Sequence, residues 1–435
     1  MNHYHAEYKR KLTTADKAVA KIRDDETIFY GMSIAQPPAL LSALADRGRA
    51  GDVRGLNIYT FLPLEHAHST VLDPVLSDVF QNYSMFVGKS DRAMVRTGLA
   101  YYVPSYLHQA PRLISEFIKV DTTLTTVSPM DEHGYFTFGT SNDCTSAAAR
   151  SCKRLIMEVN ENMPRVFGDS LIHISQVDTV IENHVPLLEF KMPPAHPEDD
   201  IMGPMIAELI PDGATIQLGV GGLPNAVARY LSGHKDIGVH TELFTEGMYE
   251  LILKGVITGR RKNLHYQKNV YTTAAGTKEM YAFMNNNPTM ESYPANYVCD
   301  PFVIGQNDNL ISINSVLEVD LLGQANAEFL DQTTFSGTGG QLDFVRGAFN
   351  SKGGKSILAF YSTAKEGKIS RVVPRLDTGA VVTTPRTDAH FFVTEYGVVN
   401  LKGKSTRERA LDIISIAHPA FRDELLKEAE NMYII

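Results

Sequence analysis

The sequence predicts an α/β fold made of two related open domains with mostly parallel sheets, and three observations carry that expectation. Short apolar, β-prone runs end in glycine and alternate with helical patterns, as parallel sheets with helical crossovers require. A strand–glycine–proline–helix order appears near the start of the chain and returns after its midpoint. A stretch rich in proline and acid, KMPPAHPEDD (191–200), separates the two occurrences.

The elements follow in order. Residues 13–23 are rich in Ala and Lys and read as an amphipathic helix, with the Thr14 hydroxyl as its N-cap. TIFYG (27–31) is a short strand ending in Gly31, followed by Pro37-Pro38 and the helical run ALLSALADRG. LNIYTFL (56–62) is the next strand, and the alternation continues to about residue 190. After the linker, ATIQLGVGGLPNAVARYL (214–231) repeats the opening order: a strand ending in Gly219, a proline within seven residues, then a helix. IGVHTELF (237–244) then stands where LNIYTFL stands in the first half. The expected domains are therefore 1–190 and 201–435, joined by a linker at 191–200, with a ligand cleft between the halves.

Length and composition narrow the function. The 435 residues suit two large domains or about three average ones. With 43% hydrophobic and 21% charged residues, the composition is that of a soluble globular protein. A formal charge of −9 gives no general attraction to nucleic acid or anionic membranes, so neither is an expected partner. The opening MNHYHAEYKRKLTTADKAVAKI lacks the apolar core of a signal peptide, and no run approaches the roughly 20 apolar residues that span a bilayer. Cys144, Cys152 and Cys299 form no Cys-x-x-Cys pair, so reduced thiols, a cytoplasmic location and no metal site are expected.

Three segments carry chemistry. GVGGLP (219–224) ends a strand with glycines that let backbone approach a ligand, and opens a helix whose N–H groups suit an anion or a developing oxyanion. It is no dinucleotide fingerprint, because Pro224 stands where the last glycine would be, and no phosphate loop, because no Gly-Lys-Ser/Thr follows. A plain tight turn is the alternative. HTELFTEG (240–247) places Glu242 in an apolar, β-prone run, a costly place for an unpaired carboxylate, at the sheet edge where ligands bind. Glu246 suits the start of the next helix. FSGTGGQLDF (335–344) has three glycines in four positions and an accessible backbone, and STAKEGKIS (362–370) follows with Lys365 and Lys368, able to hold a phosphate or amide of a long ligand or simply to face solvent. Asn326 either bonds a ligand or fixes its own turn.

GVGGLPNAV, the HTEL glutamate, EVDLLGQANAE, FSGTGGQLDF, AKEGKIS and TEYGVVNLKGKS (394–405) occur in the order found in one family. The chain resembles the acetyl-CoA hydrolase/transferase family of class I CoA-transferases, and within it the 4-hydroxybutyrate and butyrate CoA-transferases. The resemblance implies that Glu242 is a covalent nucleophile and that Gly219, Val220, Gly221, Gly222 and Leu223 contact CoA and help form an oxyanion site. It further implies that Ser336, Gly340 and Lys365 contact CoA. Gly31 and Ser33 hold the matching turn of the first half, without an assigned role. It implies a homo-oligomer whose partners are an acyl-CoA and a short-chain carboxylate, with CoA thioester as substrate and no cofactor.

In such a transfer the carboxylate attacks the acyl carbonyl, CoA thiolate leaves, and the thiolate then attacks the glutamyl carbonyl to give a glutamyl-CoA thioester. A dicarboxylate acceptor such as itaconate or succinate would need a further cation, for which Arg92 and Arg96 are candidates. Water intercepting the intermediate would make a hydrolase. A non-catalytic CoA-metabolite sensor would have no use for a nucleophile beside an oxyanion turn.

Overall fold

The computed structural model describes residues 3–190, 196–219 and 221–435. Its contacts divide the chain into two compact units. The first gathers the chain up to residue 190 with Val270–Val298 and Thr334–Gly337. The second gathers 196–269, Cys299–Thr333 and Thr338–Ile435.

The first unit is built on seven strands: β1 (Thr27–Tyr30), β2 (Leu56–Thr60), β3 (Phe80–Ser84), β4 (Ala100–Tyr102), β5 (Thr122–Val127), β6 (Arg154–Val159) and β7 (Thr179–Glu182). They lie in the order β7-β6-β5-β1-β2-β3-β4, and every neighbouring pair is parallel. The central strands are covered on both faces, which is why TIFY and TTLTTV show no alternation in the sequence: Ile28, Phe29, Tyr30 and Leu124 are all fully buried. Helix α1 (Pro38–Ala50) follows β1, started by Pro38 in its first turn and ended by Gly51 at φ 76°. Its first amides are already occupied. Ala39 and Leu40 N–H donate to Glu158 Oε2 at 3.0 and 3.1 Å, and Asn183 donates to Oε1 at 2.6 Å. Burial nevertheless pushes the Glu158 carboxyl up to about 7.

The same unit draws in chain from much later in the sequence. The strand Asn269–Ala275 is buried along its whole length. Ala274 N–H donates to Thr140 O at 2.7 Å, and the Thr273 hydroxyl donates to the buried Asp143 at 3.2 Å.

The main sheet of the second unit includes β8 (Thr215–Leu218), β9 (Gly238–Thr245), β10 (Leu310–Ser315), β11 (Lys355–Ala359), β12 (Phe391–Thr394) and β13 (Gly397–Asn400). Their order is β13-β12-β11-β10-β8-β9, parallel except for the closing β12–β13 hairpin. The repeat read from the sequence is a repeat of topology. In each unit the first strand is central, the second lies on one side, and a later strand (β5 or β10) lies on the other. The chain order reverses at that point, and the Gly turn follows the central strand there. Gly31 N–H donates to Leu124 O at 2.8 Å, and Gly219 N–H donates to Ile313 O at 2.7 Å, each the matching carbonyl of the neighbouring strand.

Three expectations change in detail. The helix expected over 13–23 is only Ala15–Val19; Thr14 does cap it, and an unforeseen helix, His3–Lys11, precedes it. The linker at 191–200 falls partly on 191–195, outside the described residues, and its end is already helical, because a helix starts at Asp199 with acids in its first turn. Glu242 is not the last residue of its strand, since β9 runs on to Thr245.

Candidate active site

The second unit assembles its site from three turns at the carboxyl edge of its sheet. Strand β9 pairs with β8 through Thr215↔Gly238 and Ile216↔Val239, so one-for-one continuation sets Glu242 level with Gly219. β9 simply outruns β8, and Glu242 sits just past the end of its shorter neighbour, a place sequence reading took for a strand end.

The turn after β8 has little room. A Cβ on Gly219 would lie 2.4 Å from Asn314 Oδ1, so only glycine fits. Asn314 is fixed there by a reciprocal amide pair, with Gln217 Nε2 donating to Asn314 Oδ1 at 3.0 Å and Asn314 Nδ2 donating to Gln217 Oε1 at 3.1 Å. Gly221 adopts φ 135°, a conformation that side chains resist, and leads into helix α2 (Gly222–Tyr230). Leu223 is buried in the first turn of that helix, which no side chain caps. Val220, the remaining residue expected in this turn, lies outside the described residues. Beyond β9, helix α3 (Glu246–Leu253) begins with Glu246, the acid expected to favour its dipole.

The third turn makes the closest contact. Helix α4 (Gln341–Asn350) is entered through Gly339, at φ 54°, and Gly340. Gly340 N–H donates to Glu242 Oε2 at 3.0 Å. A Cβ on Gly340 would lie 2.4 Å from that same oxygen, so the residue type and the hydrogen bond have one cause. The resemblance implies a CoA contact for Gly340; in the structure its amide donates to a partner 98 residues away in the chain.

The electrostatics of Glu242 are a contest. An amide at a helix start favours the ionised carboxylate. Burial opposes it, and so does the negative charge of Asp343, buried in the first turn of α4. Burial wins, and the Glu242 carboxyl is pushed up to about 7. The side chain keeps partial surface exposure while the carboxyl itself is hemmed in by protein. A carboxylate held this way is more basic than one in water and has a backbone donor in reach, the two properties a carboxylate nucleophile needs.

The other expected residues fall elsewhere. Lys365, at φ 50°, lines a cavity of about 690 Å³ with Glu318, Phe329, Arg371 and Asp377; Glu242 is not part of its lining. Lys368 points toward Glu366 at 3.8 Å on the surface. Asn326 fixes its own turn: it donates to Glu318 and to Phe329 O, and accepts from Glu328 and Phe329 N–H. Ser336 belongs to the first unit, where its carbonyl accepts from Val87 N–H at 3.4 Å. There Arg92 donates Nε–H to Phe335 O at 2.9 Å and stacks 3.7 Å above the Phe335 ring, so part of its guanidinium is already committed. In the first unit's turn, Ser33 is buried at φ 51°, and a Cβ on Gly31 would meet Ala35 O at 2.5 Å. Among the described residues no cluster of three or more His, Cys, Asp or Glu is arranged to hold a metal, and no helix is long and apolar enough to cross a membrane.

Comparison with known proteins covers both units. Residues 1–189 match the acetyl-CoA hydrolase/transferase N-terminal domain, and residues 276–429 the acetyl-CoA hydrolase/transferase C-terminal domain. The chain is 44% identical to the 4-hydroxybutyrate coenzyme A transferase of Clostridium kluyveri, over 98% of this chain and 99% of that one. It superposes on the crystal structure of RipA from Yersinia pestis with a TM-score of 0.96 at 49% identity, covering 99% of this chain and 100% of that one. For the 4-hydroxybutyrate CoA-transferase of Porphyromonas gingivalis the TM-score is 0.84 at 38% identity, covering 99% and 100%.

Proposed function

We propose, for a chain that belongs to the acetyl-CoA hydrolase/transferase family and acts as a CoA-transferase on short-chain acyl-CoA and carboxylate pairs, that Glu242 is the covalent nucleophile of the transfer. The observation that carries this reading is the 3.0 Å hydrogen bond from Gly340 N–H to a carboxylate raised to about 7 at the carboxyl edge of a parallel sheet.

In its ionised form Glu242 attacks the carbonyl carbon of the acyl-CoA. The C–S bond breaks, CoA leaves as thiolate, and a mixed anhydride joins the acyl group to the glutamyl side chain. The thiolate then attacks the glutamyl carbonyl, which releases the first acid and leaves a glutamyl-CoA thioester. The acceptor carboxylate reverses both steps and departs as the new acyl-CoA. Each addition places negative charge on an oxygen. The Gly340 amide, and those of the turn formed by Val220, Gly221, Gly222 and Leu223, are the donors assigned to it, while Gly219, whose N–H is held by Ile313 O, is assigned to the close approach of CoA to that turn. Ser336 and Lys365 are assigned to CoA, whose remote groups supply binding energy that is expressed at the reacting carbon.

The acid pair assigned is of the 4-hydroxybutyrate, butyrate and acetate type. The same reading takes 1–190 as the N-terminal domain and 201–435 as the domain bearing the nucleophile, in a cytoplasmic homo-oligomer. The test is to incubate the protein with butyryl-CoA, reduce it with borohydride and map the modified peptide by mass spectrometry. Reduction at Glu242 that depends on acyl-CoA is expected, together with exchange of CoA onto acetate or 4-hydroxybutyrate. Modification at another residue overturns the assignment, and thiol release at the same rate without an acceptor acid makes the protein a hydrolase.

A further inference from the structure

The Gly340 amide can serve Glu242 only if it stays in place, and its own sequence works against that. Gly339-Gly340 is a glycine pair, the most freely rotating dipeptide a chain can hold, so its conformation must be imposed from outside. The structure imposes it from both sides. Before the pair, the Thr338 hydroxyl donates to Glu328 Oε2 at 3.1 Å. After it, Gln341 Nε2 donates to the Thr384 hydroxyl at 3.1 Å. Both tethers lead to one place, because the Thr383 hydroxyl donates to the other oxygen of Glu328, Oε1, at 3.0 Å. Thr383 is in turn fixed: its hydroxyl accepts from Ala327 N–H at 2.9 Å, and its own N–H donates to Ala325 O at 2.9 Å.

Glu328 is thus a buried carboxylate, 8% exposed, each of whose oxygens takes one threonine hydroxyl, one from the glycine turn and one from the strip that fixes it. A buried carboxylate needs such partners simply to be tolerated. What the packing does not require is that one of them sit two residues from the donor to Glu242.

We propose that Glu328 is a positioning residue for the transfer reaction: through Thr338 and Thr383 it holds the Gly339-Gly340 turn so that the Gly340 N–H stays directed at the Glu242 carboxylate. Glu328 touches neither substrate nor reacting atom in this role. It acts only through the turn. The proposal rests on Glu242 being the nucleophile.

The test uses Glu328→Ala, Glu328→Gln and Thr338→Val in the full chain, with steady-state kinetics for butyryl-CoA and acetate over a range of pH. A donor displaced by about an ångström lowers turnover by roughly ten- to a hundredfold, so Glu328→Ala should lose kcat on that scale with much less change in KM for butyryl-CoA. Without the amide, ionised Glu242 loses a stabilising partner, so the acid limb of kcat/KM should move to higher pH. Glu328→Gln should recover most of the rate, because its amide oxygen still accepts one hydroxyl and the other hydroxyl can turn to accept from the amide nitrogen. Thr338→Val removes the hydroxyl at nearly constant volume and should reproduce the kcat loss and the pH shift; it carries the test if Glu328→Ala does not fold. Trapping in the wild-type protein separates the two failures. A CoA adduct on a residue other than Glu242 overturns the catalytic assignment and this inference with it. An adduct on Glu242, with kcat and the acid limb unmoved in Glu328→Ala or Thr338→Val, overturns this inference alone.

Discussion

Replacing Glu242 with Gln should abolish transfer and stabilise the protein, and the second effect grows with pH. The carboxyl is pushed up to about 7 in the fold from an ordinary value of 4.5. A group raised in this way favours folding while protonated. Its contribution is fully present below the unfolded pKa and is lost as pH rises through the folded one. Raising the carboxyl from 4.5 to about 7 corresponds to about 3 kcal/mol, and the partial exposure of the side chain reduces this to roughly 1–3 kcal/mol. Gln cannot ionise, keeps a carbonyl to accept from Gly340 N–H, and removes the repulsion from Asp343. For a unit of roughly 200 residues each kcal/mol moves the melting temperature by about 2–4 °C. The Gln variant should therefore melt roughly 2–12 °C above wild type at pH 8, with a gap that closes toward pH 4.5. Calorimetry or fluorescence melting at several pH values measures it. A gap of constant size between pH 5 and pH 8 would refute the reasoning, because it would place the ordinary value, not the raised one, in the folded protein.

The same carboxyl sets the rate profile: the ionised form attacks, so kcat/KM should fall as pH drops through about 7, and an acid limb near 4.5 would contradict it. Gly340→Ala keeps an acceptable φ of −93° but drives a methyl against Glu242 Oε2, so it should cost about 1–3 kcal/mol of stability and most of the activity. The clash predicts that the stability loss disappears in a Glu242→Ala background, as a double-mutant cycle would show. Lys365→Ala should raise KM for acyl-CoA more than KM for the acceptor acid; equal values in variant and wild type would leave Lys365 without a part in CoA binding.

Much of this was legible because it is local. TIFYG and TIQLG announce a strand, a forced glycine and a helix within a few residues, and the pairing of two such units across a midpoint gives the duplicated topology. HTELF likewise shows a carboxylate where a β-prone apolar run leaves it little company. What the sequence could not display was pairing at a distance. Gly340 and Glu242 are 98 residues apart in the chain and 3.0 Å apart in space, and nothing in GTGGQLD says which acid its amide will meet. Glu328 reads as one more acid after QANA, and its role emerges only when Thr338 and Thr383 arrive on either side of it. Asn326, three residues after Gly323, is open to two readings from the sequence, and its three bonds to its own turn and one to Glu318 on the paired strand favour the structural one.

The way the first unit recruits chain from far downstream has a consequence for the order of biosynthesis. Its seven-stranded sheet has all its strands by Glu182, yet its packing also uses Val270–Val298 and Thr334–Gly337. At about 5–20 residues per second those last pieces leave the ribosome roughly 10–30 s after the sheet could first close. In that interval Gly139 and Thr140, whose carbonyls accept from the fully buried Tyr271 and Ala274 in the finished protein, lack those partners. A nascent chain of this kind has to remain unaggregated while half-dressed, and a fragment ending near residue 190 never leaves that state.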